Sequence, residues 1–292
     1  MSGALLAAVS GVGFGAFQAV NVRAMRSGAD PFASMFVQVS IGALLLTTVT
    51  LVTGDLLDAV DAPLWALGDF ALAGLIHFLG GWSLLNLSQK KIGAARTSPL
   101  LTTVPLFGVA LALVTVGQAP SLLALAGILL MCAGAYVVAA RGGLEGPRVV
   151  DALPALGCAF AWALSPIFIV DGLEGFDSAL AGLAIGLLVC VATCLLVFAV
   201  GRGGKLSLGS IAGAGAGPKV LAAVLVALAT WLRWAALEDA TVGAVLALGL
   251  LSVPVVLVLA PLISGRQVER VTRGLWVGAG LVVSGALILV TA

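Results

Sequence analysis

The most regular feature of this sequence is a succession of apolar stretches separated by short polar gaps. A stretch of about 20 apolar residues is long enough to cross the hydrocarbon core of a bilayer as an α-helix. Ten such stretches use most of the 292 residues. The pattern therefore predicts an all-α membrane protein with ten transmembrane helices, at about 3–22, 32–53, 63–88, 94–116, 120–140, 152–171, 178–200, 218–237, 241–263 and 273–291.

The two halves of the chain repeat several features at similar spacings: Ile92-Gly93-Ala94 recurs as Val242-Gly243-Ala244, Pro105 as Pro254, and Gln118, Gly127 and Gly134 as Glu269, Gly278 and Gly285. Five spans per half give the halves opposite orientations, as in the inverted repeats of secondary transporters. We predict an N-terminal five-helix repeat over 1–142, a cytoplasmic linker over 143–150 and a C-terminal five-helix repeat over 151–292.

Composition excludes an ordinary soluble domain. The chain is 61% hydrophobic and 9% charged, whereas soluble domains are about 25% charged. The basic residues form no patch with interleaved aromatics, so we expect no nucleic-acid partner. A single histidine and scattered acids do not supply a nucleophile with its base or a set of metal ligands. We therefore expect no enzyme activity, no metal and no cofactor.

Basic residues mark one side of the membrane. Cytoplasmic loops are rich in Lys and Arg, and 13 of the 14 basic residues fall in every second gap. This pattern predicts that both termini lie outside the cytoplasm, and Arg233 is its one exception. The basic gaps contain Arg23/Arg26, Lys90/Lys91/Arg96, Arg141/Arg148, Arg202/Lys205/Lys219 and Arg266/Arg270/Arg273.

The quoted motifs resemble those of a known family. The fourth span, from Ile92-Gly93-Ala94 through Pro99 to Pro105, and the entry to the tenth span, from Glu269 through Gly278 and Gly285, are similar to the drug/metabolite transporter superfamily, EamA type. The resemblance implies a secondary carrier, often an exporter, with a central cavity lined by the first four helices of each half. It does not fix the substrate, because family members move amino acids, nucleotide sugars, quaternary amines and drugs.

Three residues depart from that resemblance. Gln118 stands where family members often carry Glu, and Gln38 stands where the family often has Arg. The more distant small multidrug exporters use a first-span Glu to exchange protons for drug cations. Here the only strongly polar side chain in the middle of the first span is Gln18. Since glutamine does not titrate, a proton-for-cation mechanism on that helix is disfavoured.

Ionisable side chains inside a span are costly and usually face a cavity or a partner. His77, in the third span, is either a proton-coupling or substrate-binding group or a neutral histidine bonded to a neighbouring helix. Arg233 either binds a substrate carboxylate or phosphate or extends to the outer interface near Glu238 or Asp239. Arg96 is a gating candidate at the inner mouth of the fourth span, or a plain orientation signal.

Neutral and aromatic side chains complete the candidate site. Each is a cavity residue or makes an interhelical hydrogen bond or core contact instead. The candidates are Gln18, Gln38, Asn86, Ser98, Ser165, Trp82 and Trp162.

The sequence thus predicts an exporter of a small polar or amphipathic metabolite, such as an amino acid, in a bacterial or archaeal inner membrane. The alternatives are a proton-coupled multidrug exporter and a carrier or flippase for a phosphate-bearing substrate. The partners are a small molecule and the lipid bilayer, with proton coupling left open. The Gly-x-x-x-Gly ridges, such as Gly11/Gly15 and Gly182/Gly186, allow close helix packing and leave monomer and homodimer both open.

Overall fold

The computed structural model describes residues 2–116, 121–140, 149–200, 216–240, 242–267 and 269–291, which are almost entirely helical and contain no strand. Gln118 and the middle break from Arg141 to Arg148 lie outside the described residues. In chain order the helices are α1 (Gly3–Arg26), α2 (Pro31–Thr53), α3 (Leu64–Ile92), α4 (Ala94–Leu101), α5 (Val104–Val116), α6 (Leu122–Ala140), α7 (Leu153–Gly175), α8 (Ala179–Val200), α9 (Ala216–Asp239), α10 (Val242–Gly249), α11 (Ser252–Ser264) and α12 (Arg273–Thr291).

Many of these helices suit a bilayer. Within the described residues, eight segments are long and apolar enough to cross a membrane, and α10 and α11 together form one of them. The apolar part of α6, Leu122–Val138, is shorter, and α4 is separated from α5 by a break. The predicted all-helical, multi-pass membrane fold is confirmed. The count of ten spans stays a prediction.

The helices pack in pairs that match across the two halves. Helix α1 packs on α9, and its counterpart in the second half, α7, packs on α3. Helix α2 packs on α8, and α6 packs on α12, so in both cases a helix meets its own counterpart. Two repeats of opposite orientation would produce this pairing. The division of the chain into two five-helix repeats stays a prediction.

Glycines set the closest helix contacts. Gly74 of α3 and Gly186 of α8 bring their backbones together, so that a Cβ on either residue would meet the other backbone. A Cβ on Gly11 of α1 would lie 2.6 Å from the carbonyl oxygen of Leu248 in α10. Small residues allow this approach in membrane bundles. These predicted small-residue ridges are therefore used between helices of the same chain.

The two ends of the bundle differ in charge, as the sequence pattern predicts. At one end, which we call the basic end, the polar contacts are Arg26 with Glu269, Lys90 with the Ala29 carbonyl, and Lys91 with Asp151. At the other, the acidic end, Glu238 lies near Asp55, Asp177 and Asp239. The side of the membrane that each end faces stays a prediction from the charge rule.

Candidate functional site

The middle of the bundle contains a cavity of about 50 Å³. Its wall is formed by one face of α1, by the junctions between α4 and α5 and between α10 and α11, and by single residues of α7 and α9. Among the described residues, no acidic side chain lines it. The polar and aromatic lining residues are Ser10, Phe14, Gln18, Thr102, Trp162, Arg233 and Ser252.

Both helix breaks touch this cavity, and they have the same construction. An eight-residue helix, a two-residue turn and a 13-residue helix follow one another in each half. The turns are Thr102–Thr103 and Leu250–Leu251, and each is followed closely by a proline, Pro105 or Pro254. Proline has no N–H to donate to the carbonyl four residues earlier, so it weakens the helix at that point.

The chain compensates locally at the first break. The hydroxyl of Thr102 donates to the carbonyl of Pro99, and that of Thr103 donates to the carbonyl of Leu100, each at 2.7 Å. Broken helices inside a membrane occur where irregular backbone lines a cavity. In secondary transporters such breaks flank the substrate site near the bilayer midplane.

Arg233 carries the positive charge of the cavity. It is half-buried and lines the cavity wall. It takes part in no ion pair or hydrogen bond among the described residues. Glu238, one of the partners considered from the sequence, instead accepts a hydrogen bond from the backbone N–H of Ala179 at 2.8 Å. The structure thus places Arg233 on the cavity and not in a contact with Glu238.

One face of α1 supplies the neutral part of the wall. Ser10, Phe14 and Gln18 follow one another at helical spacing on this face. The Ser10 hydroxyl donates to the carbonyl of Ala229 at 2.7 Å. The side-chain oxygen of Gln18 is buried and has no hydrogen-bond partner among the described residues. Sequence reasoning singled out Gln18 but missed Ser10 and Phe14, which its four-residue spacing could have revealed.

His77 lies behind the wall. It is buried at 3% exposure, in a π-helical segment of α3 from Leu75 to Trp82. Its Nδ1 atom is 2.9 Å from the Ser165 hydroxyl, and its ring stacks on Trp162 with centroids 5.4 Å apart. Of these three predicted residues, Trp162 alone reaches the central cavity. His77 and Ser165 therefore position the aromatic wall from behind.

Four amide side chains form a separate closed network. Asn21 donates to Asn86 and to Gln89, each at 2.7 Å, and it accepts from Gln38 at 2.9 Å. Asn86 also donates to Gln38 at 3.1 Å. All four are fully or almost fully buried. Gln38 and Asn86, which the sequence suggested as cavity residues, lie in this network and do not line the central cavity.

The remaining predicted residues are spread through the bundle. Trp82 is fully buried against Phe78, with ring centroids 4.8 Å apart. Ser98 is buried in α4, and its hydroxyl has no partner among the described residues. Arg96 lies near Glu269 at the basic end. None of these three lines the central cavity.

A second, mostly apolar cavity of about 250 Å³ adjoins the first. The two cavities share Val104, Trp162 and Leu246 in their walls. From Trp162 the second cavity follows α7 past Pro166 as far as Asp171, toward the acidic end.

The basic end is held together by Glu269, in the loop between α11 and α12. Its Oε2 atom accepts a hydrogen bond from the N–H of Ala95 at 3.0 Å, at the start of α4. Its Oε1 atom lies 3.8 Å from the guanidinium of Arg26. The carboxylate packs against Gly93, whose φ of +80° and missing side chain leave room for it. The second half is thereby joined to the first.

Comparisons with known proteins agree with this architecture. Residues 1–140 match the model of the EamA-like transporter family. A solved crystal structure of a protein is 20% identical, with a TM-score of 0.59, and the match covers 97% of this chain and 95% of that chain. That likeness concerns the fold alone. No curated protein matches the sequence.

A multi-pass helical bundle with paired helix breaks around a cavity is typical of secondary transporters, and the family match indicates a membrane transporter of the drug/metabolite type. The family match makes the assignment more specific: residues 1–140 match the EamA-like transporter family, which belongs to the drug/metabolite transporter superfamily.

Proposed function

We propose that this protein is an alternating-access carrier that exports a small polar or amphipathic metabolite, such as an amino acid, across the plasma membrane. The observation that carries the proposal is the central cavity bounded by two matching helix breaks. Each break is a point at which one helix of a repeat can bend while the rest of the bundle moves as a body. The transport step is a rocking of one repeat against the other.

The present conformation fits one stage of that cycle. A cavity of about 50 Å³ holds only a few water molecules, since one water needs about 10–15 Å³ on this measure. The wider second cavity extends toward the acidic end, whereas Glu269 joins the two halves at the basic end. We interpret this state as nearly occluded and closest to opening at the acidic end, which the charge rule places outside.

The polar residues that line the cavity also favour some of the alternative substrates over others. A drug cation would be repelled by Arg233, and no acid among the described residues lines the cavity to attract it. A phosphate-bearing substrate remains the second candidate, because a guanidinium binds phosphate as well as carboxylate.

Cysteine labelling tests the proposed aqueous cavity. We expect Ser252→Cys, in a chain with the exposed Cys132 replaced by serine, to react with a membrane-impermeant thiol reagent in vesicles. Leu44→Cys is the matched control, because this side chain is 69% exposed on the outside of α2 and would face lipid, where thiolates do not form. The readout is the labelling rate in right-side-out and inside-out vesicles, followed by counterflow of radiolabelled amino acids in proteoliposomes.

If Ser252→Cys is as inert as Leu44→Cys from both sides, the carrier proposal is wrong. If Ser252→Cys reacts but no amino acid exchanges or protects it, the carrier stands and the amino-acid assignment fails. If Ser252→Cys is labelled from both sides and a transported amino acid slows the labelling, the carrier and its amino-acid substrate are both supported.

A further inference from the structure

Arg233 is directed into the bundle by the helix that carries it. Its neighbour one turn earlier, Ala229, accepts the Ser10 hydroxyl of α1, which fixes this face of α9 against the cavity wall. Side chains of an α-helix lean toward its N-terminus, and α9 begins at the basic end. Arg233, placed near the acidic end of α9, therefore extends toward the middle of the bundle and away from the nearer surface.

Within the part of the chain that the structure describes, no carboxylate forms an ion pair with the Arg233 guanidinium. The ion pairs of Arg26 with Glu269 and of Lys91 with Asp151 both lie at the basic end, far from Arg233. A half-buried cation without an anion is costly, because attraction to water is lost and nothing replaces it. An anion entering the cavity would offset that cost, with charge-assisted hydrogen bonds to the planar fork.

From this geometry we propose that the central cavity, once widened by opening of the carrier, binds an amphipathic carboxylate, with its carboxylate on Arg233 and its apolar body against Phe14 and Trp162. The proposal rests on the proposed carrier function and names its substrate class. A single guanidinium with neutral neighbours matches the one negative charge of a carboxylate better than the greater charge of a phosphate.

The aromatic residues and Gln18 indicate which groups the rest of the ligand carries. The rings of Phe14 and Trp162 meet edge to face with centroids 5.3 Å apart and supply an apolar surface. Gln18, two turns beyond Ser10 or about 12 Å along α1, presents its unpartnered side-chain oxygen. This oxygen suits a hydrogen-bond donor at the far end of the ligand.

Matched probes test the charge on the ligand. We expect 3-phenylpropionate to raise the thermal stability of the purified protein and 3-phenylpropionamide, of nearly the same shape, to do so much less. Arg233→Gln should weaken 3-phenylpropionate binding by about tenfold to a hundredfold, as expected for a lost charge-assisted hydrogen bond. The affinity of Arg233→Lys for 3-phenylpropionate should fall between those of the native protein and Arg233→Gln, because lysine retains the charge but lacks the planar guanidinium. Arg23→Gln, at an exposed basic-end position, is the control and should bind normally.

Each contrary outcome has its own meaning. Equal binding of the acid and the amide, or unchanged binding in Arg233→Gln, overturns the carboxylate site, and the carrier proposal survives if Ser252→Cys remains accessible. Tighter binding of 2-phenylethylphosphonate than of 3-phenylpropionate overturns the carboxylate class in favour of a phosphate-bearing substrate. Loss of Ser252→Cys accessibility removes the carrier itself.

A different observation carries a second inference, which does not depend on the substrate. We infer that Glu269 is a proton-sensitive latch that keeps the basic end closed. Its carboxylate spans from the α11–α12 loop to the backbone at the start of α4, with 3% of the residue exposed. The basic end cannot open without separating these elements. In the first half the matching position of the sequence is Gln118, and glutamine does not titrate.

The charges around Glu269 determine whether a rise in pH opens or closes the basic end. The charged groups around Glu269 are Arg26 from α1, Arg96 from α4, and Arg266 and Arg270 from its own loop. Burial raises the pKa of the Glu269 carboxyl above its ordinary value, and Arg26, Arg96 and the backbone N–H donors offset part of that rise.

The closed end therefore binds a proton more tightly than an open, hydrated end. The stabilisation of the closed form is complete below the ordinary pKa of a glutamate and is lost as the pH rises through the raised value. Raising the pH should favour opening at the basic end.

Labelling of Ser98→Cys, in the Cys132→Ser chain, measures this opening, because Ser98 lies in α4 between the latch and the cavity. We expect Glu269→Ala to raise the rate of labelling from the basic end about tenfold or more, because the hydrogen bond between the Ala95 N–H and the carboxylate is lost. Glu269→Gln retains the acceptor without the charge, so its rate should stay low. Dividing each rate by that of Glu269→Gln at the same pH removes the titration of the thiol itself. The ratio for the native Glu269 should rise from pH 5 to pH 8.

A rate in Glu269→Ala no higher than in the parent, or a ratio that does not change with pH, overturns the latch. If Glu269→Ala does not fold, the pH ratio between native Glu269 and Glu269→Gln still decides the question.

Discussion

Replacing Gly74 by alanine is expected to destabilise the whole bundle by about 3 kcal/mol or more, the upper range for overpacking a core. A Cβ at this position would fall inside van der Waals distance of the Cα and carbonyl oxygen of Gly186. Backbone atoms cannot rotate aside as the end of a side chain can. Helices α3 and α8 would have to separate, and the buried Phe70 that packs between them would lose contacts.

Gly68 provides a control on the same helix. A Cβ there meets nothing within 4 Å, so Gly68→Ala should be neutral or stabilising by up to about 1 kcal/mol through helix propensity. The measurement is the free energy of unfolding in mixed micelles, read by the fluorescence of the buried tryptophans. Similar stability in the two variants would mean that α3 and α8 do not approach at Gly74 as described.

The spans were predictable because each is a long apolar run, and their ends were less so. The first helix was placed at about 3–22, and in the structure α1 continues to Arg26. Helices extend beyond the hydrocarbon core as long as water can solvate their ends, and hydropathy does not record that extension. The third span likewise continues to Ile92 and contains a π-helical segment from Leu75 to Trp82, for which the sequence offered no periodic signal.

The helix breaks were half predictable. Pro105 and Pro254 stand in the predicted fourth and ninth spans, where a proline weakens the helix. The structure instead has complete two-residue turns, with Thr102 and Thr103 donating hydrogen bonds to the carbonyls behind them. Proline marks where a helix loses a backbone bond, but packing around the cavity decides whether the helix bends or stops.

Whether a candidate site residue lines the cavity depends on which face of its helix it occupies. Gln18, Trp162 and Arg233 line the central cavity, whereas Gln38 and Asn86 bond to each other in the amide network. A buried amide can form its hydrogen bonds with a solute or with another helix. Its presence in a span therefore does not distinguish a cavity residue from a packing residue. The spacing of Ser10, Phe14 and Gln18 along α1 was the stronger signal, because three lining residues on one face indicate what that face contacts.

The amide network yields the other large expected effect. Asn21→Leu should lower the free energy of unfolding by about 2–4 kcal/mol, because it removes three buried hydrogen bonds at once. It leaves the Gln89 side chain with no partner among the described residues, whereas Gln38 and Asn86 keep their bond to each other. A single interhelical hydrogen bond in a membrane averages only about 0.6 kcal/mol. The larger figure therefore comes from the loss of three buried hydrogen bonds together.

Ser34→Ala is the matched control, since Ser34 is fully buried in α2 one turn before Gln38 and its hydroxyl has no partner among the described residues. Removing this hydroxyl should change stability by less than about 0.5 kcal/mol. Both variants can be compared in the micelle unfolding assay used for Gly74→Ala. A loss below about 1 kcal/mol in Asn21→Leu would mean that the amides find other partners, such as water admitted between α1, α2 and α3. In that case Gln38 and Asn86 would again be candidates for the transport pathway, since a wetted cluster at this depth joins the basic end to the cavity beside Gln18.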